Sequence, residues 1–336
     1  LGWLVPLTGW EQMYSGPMNA AAQLAVKEVN EAGGVLGGRL LELVIKDNQT
    51  DPDWTIRQAD DLHAEGIEII MGTMADSNGL ALNAWSKRNK VLTLLPLTTT
   101  TTVTVEEGHR YSFRFQPNTD AMGRALALAV AKKPWTKIFN VVSDIEAGHV
   151  WFDSFWHHLK GLKPEVENVG EAWPAITEMD FTPTITKILG SGADAVFLQP
   201  IGAGYFAFLA QAAPFDLLAK VGTFAQYGVI TEYTSVLGHD YPEGLVTAVA
   251  APYWLDDPAT QKLTVDFRDM SDQYPSMLNY TPYIMIHFLA AAIEKAGVSD
   301  TEAIIDALEG LTIDTVVGPV TMHDYDHQAN LPLWTG

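Results

Sequence analysis

The chain has 336 residues, 47% of them hydrophobic, and 41 acidic against 20 basic side chains give a formal net charge of −21. Such a surface repels phosphate backbones and excludes nucleic acid as a partner, while the absence of cysteine excludes thiol catalysis, disulfides and Cys-based zinc sites. The length suits two domains of about 150 residues each, and no apolar run reaches the roughly eighteen residues of a membrane span.

The predicted elements alternate in chain order. A strand at 4–7 opens the chain with no charged n-region ahead of it, so any export signal is expected to have been removed. A helix follows at 16–32, with Ala21, Leu24, Ala25, Glu28 and Val29 at helical spacing and Gly33 and Gly34 as a permissive stop. Apolar runs at 41–45, 67–73, 91–97, 137–144, 193–200, 220–226 and 244–253 read as buried strands of parallel sheets. Between and after them, helices are predicted at 53–64, 78–89, 119–132, 147–160, 181–190, 202–213, 229–236, 259–273, 280–296 and 301–308. The pattern is doubly wound α/β. A threonine run at 98–102 is the one low-complexity segment, and no repeat of 20 to 50 residues is present.

Several segments carry a resemblance. PLTG at 6–9, VNEAGGVLGG at 29–38, DNQTDP at 47–52, AIEKAGVSDTEAIIDALEGL at 292–311 and TVVGPVTM at 315–322 resemble the type I periplasmic solute-binding proteins of ABC transporters, in their Leu/Ile/Val-binding branch. The resemblance implies two doubly wound parallel-sheet lobes, 1–117 plus 252–318 and 118–251 plus 319–336, joined by a three-strand hinge. Its seams would lie at 111–120, at 247–258 and near 317–321. It further implies a monomer in the periplasm that takes one small-molecule ligand into the interlobe cleft and hands it to ABC permease subunits, with no catalytic residue, cofactor or metal. An extracellular sensing module of a receptor, or an amino-acid binder of the same fold, is the alternative.

Ligands of open α/β sheets sit beyond the carboxyl ends of strands, which nominates the loops at 10–14, 73–78, 97–100 and 224–228. In the resembling amino-acid binders the second loop offers serine hydroxyls and helix-start amides to the ligand carboxylate. Here Asp76 stands where that family has serine, beside Ser77. Two like charges about 4 Å apart repel by roughly 4 kcal/mol at an effective dielectric near 20, against about 0.3–2 kcal/mol from a helix end. Asp76 therefore reads either as the N-cap of a helix over 77–88 or as an acceptor for a cation, amide or hydroxyl.

The resemblance places Gln226 where the family has the carboxylate that holds the ligand ammonium, and Ala147 where it has a tyrosine. An amide lacks the charge for that contact. Leu97, Thr98 and Thr99 fall in the loop that gives the ligand a carbonyl and a hydroxyl, with Thr99 the preferred contact. Trp10, Tyr14, Tyr227, Tyr253, Trp254 and Tyr280 are candidate aromatic lining, each open also to ordinary core packing. Asp120 reads as a helix cap or a hinge contact. Together these changes predict a cargo other than a branched-chain amino acid: an aromatic compound, an amine or an amide.

Signals of enzymes are incomplete. GAGYFA at 202–207 fits a dinucleotide fingerprint, but the next strand, KVGTFAQ, ends without the acid that a ribose needs. HDYDH at 323–327 has metal-ligand residue types in a polar turn, and His157 and His158, being adjacent, point to different sides of a helix.

Overall fold

A computed structural model describes residues 1–250 and 252–336, and all of Asp240 but its side chain. In chain order its elements are β1 (Gly2–Val5), α1 (Gln12–Glu31), β2 (Val44–Asp47), α2 (Pro52–Ala64), β3 (Ile69–Met71), α3 (Asp76–Asn89), β4 (Leu92–Leu95), β5 (Ser112–Arg114), α4 (Thr119–Ala131), β6 (Lys137–Val142), α5 (Glu146–Leu162) and β7 (Glu167–Ala172). Then come α6 (Thr182–Ser191), β8 (Ala195–Gln199), α7 (Ala203–Ala212), α8 (Leu217–Lys220), β9 (Gly222–Ala225), α9 (Thr231–Leu237) and β10 (Val246–Val249). The chain ends with α10 (Pro258–Ser271), α11 (Met277–Ala296), α12 (Thr301–Leu308), β11 (Thr312–Thr315), β12 (Gly318–Thr321) and β13 (Trp334–Thr335).

The chain forms two compact units: Leu1–Asn118 with Ala251–Pro332, and Thr119–Ala250 with Leu333–Gly336. In the first, five strands pair in the order β2-β1-β3-β4-β5, all parallel. β1 and β4 are buried at every position because helices cover both faces of the sheet. Leu4, Leu62, Ile70, Leu82, Trp85 and Leu95 make up much of one core beneath α2 and α3. The second unit has the order β13-β10-β9-β8-β6-β7, with only β13 antiparallel. Its core includes Phe155, Phe197 and Phe224, the last two stacked at 5.2 Å. In the first unit the strand order reverses direction between β1 and β3, and in the second between β6 and β8; such switch points open crevices at the strands' carboxyl ends.

Differences from the predicted elements have local causes. α1 starts at Gln12 rather than 16, so Pro17 lies inside the helix instead of opening it. α11 starts at Met277 rather than 280 because Ser276 caps it: the Ser276 hydroxyl accepts from Leu278 N at 3.2 Å, and Ser276 N donates to Asn279 Oδ1 at 2.7 Å. β7 has no apolar run, being a polar edge strand; its Gly170 lets the Phe139 ring of β6 lie against the backbone, where a Cβ would come within 2.4 Å of the ring. The expected strand 244–253 and the lobe edge at 251 include Ala251, which lies outside the described residues.

The chain passes between units at 118/119, 250/251 and 332/333. The last passage is thus displaced from the expected seam at 317–321, and residues 319–332 belong with the first unit. Two attachments hold them there. β12 pairs antiparallel with β11, and Gln328 forms a parallel bridge with Arg114 at the end of β5. Arg114 is fully buried; its Nε donates to Gln328 Oε1 at 2.5 Å, one terminal nitrogen donates to the Thr100 carbonyl, and the other to Thr104 Oγ1 at 2.7 Å. Burial lowers its pKa to about 10, against the attraction of Asp76, Asp326 and Glu106. Elsewhere Glu28 ties α1 to Lys262 of α10 (3.0 Å) and to Tyr283 and His287 of α11 (2.5 and 3.1 Å).

Removing one member of a buried, fully bonded charge network costs about 3–5 kcal/mol. Arg114→Met should therefore lower the free energy of urea unfolding by about that amount. A loss below about 1 kcal/mol would show that Arg114 is not what fastens 322–332 to the first sheet.

Candidate functional site

In the first unit the carboxyl ends of β1, β3 and β4 meet around the start of α3. The loop at 7–10 is exposed. Gly9 has φ +95°, and a Cβ there would come within 2.6 Å of the Gln49 carbonyl, so this tight approach requires glycine. Asp47 fixes the loop by accepting from Thr8 N at 3.1 Å and from Thr8 Oγ1 at 2.6 Å. The chain then turns Glu11 inward, leaving it 1% exposed while Gln12 and Met13 stay at the surface.

Asp76 is the first residue of α3, and Ala75 is the N-cap. The expected cap at 76 for a helix over 77–88 is thus displaced by one position. Instead the Asp76 carboxylate reaches sideways to the threonine loop, accepting from Thr99 N at 2.6 Å, Thr99 Oγ1 at 2.9 Å and Thr100 N at 3.1 Å. Burial pushes its pKa up, opposed by those bonds and by Arg114. Thr99, expected as a ligand hydroxyl, donates that hydroxyl to Asp76. Ser77 is exposed, and its hydroxyl lies 3.4 Å from Asn78 Oδ1.

Leu97, Thr98 and Thr99 are all buried, at 4%, 0% and 4% exposure. Thr98 lies under α3: a Cβ on Gly79 would fall 2.2 Å from its hydroxyl oxygen, which has no hydrogen-bond partner among the described residues. Tyr14 and Tyr280 are core residues of α1 and α11, 2% and 1% exposed. Trp10 and Trp254 are 43% and 56% exposed, which removes core packing as their explanation; Trp254 meets Tyr253 edge-on at 5.1 Å.

In the second unit Gln226 follows β9 and is fully buried. Its backbone N donates to Gln199 Oε1 at 2.9 Å, yet neither side-chain amide atom has a partner among the described residues. Tyr227, half-buried, reaches Met122 Sδ at 3.7 Å and packs on Trp151 at 5.3 Å. The Trp151 Nε1–H is likewise unpartnered. Ala147, half-buried, is the second residue of α5 and projects only a methyl group. Asp120 lies in the first turn of α4, 2.8 Å from His158 Nε2.

The enzyme-like segments have other occupations. Gly202 caps α7 after β8, and its N–H donates to the Tyr233 hydroxyl at 3.0 Å. His323 pairs with Asp326 at 3.0 Å, while His327 stacks on Phe113 at 4.0 Å and contacts Ser112 O and Glu309. Among the described residues no three His, Asp or Glu side chains converge as a metal site, and no helix is long and apolar enough to cross a membrane.

Comparison with known proteins agrees with this architecture: the model of the periplasmic binding protein family matches residues 1–336. The chain belongs to that family. It is 24% identical over 323 residues to the Leu-, Ile-, Val-, Thr- and Ala-binding protein of Pseudomonas aeruginosa, covering 93% of this chain and 82% of that one. Among solved structures, a solute-binding protein of an ABC transporter from Rhodopseudomonas palustris in complex with benzoate superposes with a TM-score of 0.90 at 17% identity, covering 99% and 91% of the two chains. Another, from strain BisB5 with 3,4-dihydroxybenzoic acid, gives 0.89 at 21% identity and the same coverage. At those identities the structures establish the fold. The chain is thus a type I periplasmic binding protein of the ABC-transporter class, and the family binds solutes.

Glu11 was not singled out in the sequence, since a lone Glu in a loop reads as solvated. Its backbone position gives no hint that the side chain folds inward. Burial pushes its pKa up to about 8, against the opposing pull of the Ala75 backbone N–H and with added repulsion from Asp76. A carboxyl whose pKa is raised by folding binds its proton more tightly in the native state, so its contribution favours folding at low pH and declines as pH rises from about 4.5 to 8. Urea melts from pH 5 to 8 should show wild-type stability falling relative to Glu11→Gln by roughly 1 kcal/mol per pH unit. Parallel curves for the two proteins would contradict the raised pKa.

Proposed function

We propose that this protein is the extracytoplasmic solute-binding component of an ABC importer, holding one small organic molecule between its two units and delivering it to a permease. Hinge closure of periplasmic binding proteins is a standard example of domain motion, and the three chain passages between units would serve as the hinge. The protein would act in the periplasm as a monomer without cofactor or metal. Trp10, Tyr14, Asp76, Ser77, Leu97, Thr98, Thr99, Ala147, Gln226, Tyr227, Trp254 and Tyr280 are proposed around the ligand, with Asp76 and Thr99 shaping the loop through their mutual bonds.

The cargo is proposed to be an aromatic compound, amine or amide rather than a branched-chain amino acid. The observation that carries this is Gln226, buried with both amide atoms unpartnered. A buried amide without partners costs about 1–3 kcal/mol, which a ligand offering one donor and one acceptor would recover; an α-ammonium would gain no opposite charge there. The benzoate and dihydroxybenzoate complexes of the structural neighbours support an aromatic cargo, whereas the Leu/Ile/Val-binding relatives support the alternative.

A thermal-shift screen decides between them. A ligand at 100 times its Kd stabilises by about 2.7 kcal/mol, so an aromatic compound, amine or amide should raise the melting temperature measurably, and Gln226→Leu should remove most of that shift. Stabilisation by leucine or valine, with no response to the other classes, would overturn the assignment.

A further inference from the structure

We infer that Glu11 is a specificity-determining residue of the first unit, and that its free carboxyl oxygen receives a cationic nitrogen of the ligand. The inference rests on the solute-binding reading above and narrows it from aromatic compounds, amines and amides to those carrying a protonated amine or amidine.

The position follows from topology. The order β2-β1-β3-β4-β5 reverses between β1 and β3, and a crevice opens there beyond the strands' carboxyl ends. Glu11 lies on the β1–α1 connection, and the Ala75 backbone N–H and Asp76 at the start of the helix that follows β3 both act on its carboxyl, which puts it at that switch point. Its Oε2 is buried and has no hydrogen-bond partner among the described residues. A buried polar atom of this kind marks either an uncompensated cost or a site completed by something else.

The charge distribution selects the ligand's sign. Glu11 and Asp76 bring two carboxyls to the start of α3, and Arg114, the buried cation that acts on Asp76, is committed to Gln328, Thr100 and Thr104. An incoming carboxylate would add a third acid to this pair, whereas an ammonium supplies the missing counter-charge. The unpartnered groups near the start of α3 and the end of β2 include two N–H donors, Asn78 Nδ2 and Asn48 Nδ2, besides the hydroxyls of Thr98 and Thr50. They suit an organic ligand that carries an acceptor beside its cationic nitrogen.

The raised pKa of Glu11 is consistent with this arrangement: without a cation nearby, the carboxyl retains its proton at neutral pH. Binding a cation would expel that proton. The charged group acting on Glu11 is Asp76 of α3, and Arg114 of β5 acts in turn on Asp76.

Matched probes of one shape and three charges test the inference: benzylamine, benzyl alcohol and benzoate, with agmatine as a longer cation and leucine as the family-type ligand. They would be titrated by calorimetry into the wild type, Glu11→Gln and Gln226→Leu. An amine should bind the wild type, and Glu11→Gln should weaken it roughly tenfold to a hundredfold. Wild-type affinity should rise by up to about tenfold per pH unit from 6 to 8 and then level off, with proton release seen as a dependence of heat on buffer ionisation enthalpy. Glu11→Gln should abolish both effects, while Gln226→Leu, if it still binds, should keep them. A role of Glu11 in folding alone would leave the pH profile of binding unmoved and would overturn the inference. Binding of benzoate or leucine without any response to amines would also overturn it while leaving solute binding standing; silence from every probe would count against both readings.

Discussion

The first unit depends on a relay of charge through one short loop. Asp76 accepts from the backbone N–H groups of Thr99 and Thr100, while Arg114 donates to the carbonyl of Thr100 from the opposite side. The threonine loop is thus held between an anion at the start of α3 and a cation at the end of β5, and Arg114 continues the relay to Gln328. Each charge is compensated by bonds that water would otherwise supply, which is the condition under which buried charges are tolerated. The relay fixes where β4 delivers its last residues, and it recruits a segment more than 200 residues away in sequence into the same unit.

That arrangement also decides what the loop can offer a ligand. Thr99 is not a free hydroxyl, since Asp76 accepts from it, and Asp76 is not an unencumbered acceptor. Among the described residues, the buried polar atoms left without partners include Glu11 Oε2, Thr98 Oγ1 and Asn78 Nδ2 in the first unit, and the Gln226 amide and Trp151 Nε1–H in the second. Atoms that are buried and unsatisfied are better pointers to a ligand than residues that are merely polar, because something must repay their lost hydration.

Much of the fold was legible from residue order. Continuous apolar runs such as those of β4 and β8 announce strands covered on both faces, and the double glycine after α1 announces the helix stop. What resisted reading was polar or short: β7, an edge strand with no apolar stripe, the start of α1 upstream of Pro17, and the attachment of 319–332. For 319–332 the deciding interaction joins residues distant in sequence, the bridge from Gln328 to Arg114.

The sequence by itself determined the alternation of strands and helices and the family, because those facts reside in residue type and spacing. Only the tertiary structure decided which polar groups are spoken for. Asp76 and Glu11 are both acids at the start of a helix, and no local pattern separates them; one finds three donors across the threonine loop and the other keeps an oxygen without any among the described residues. The difference is one of burial and partners, which arise when β1, β3 and β4 are brought side by side.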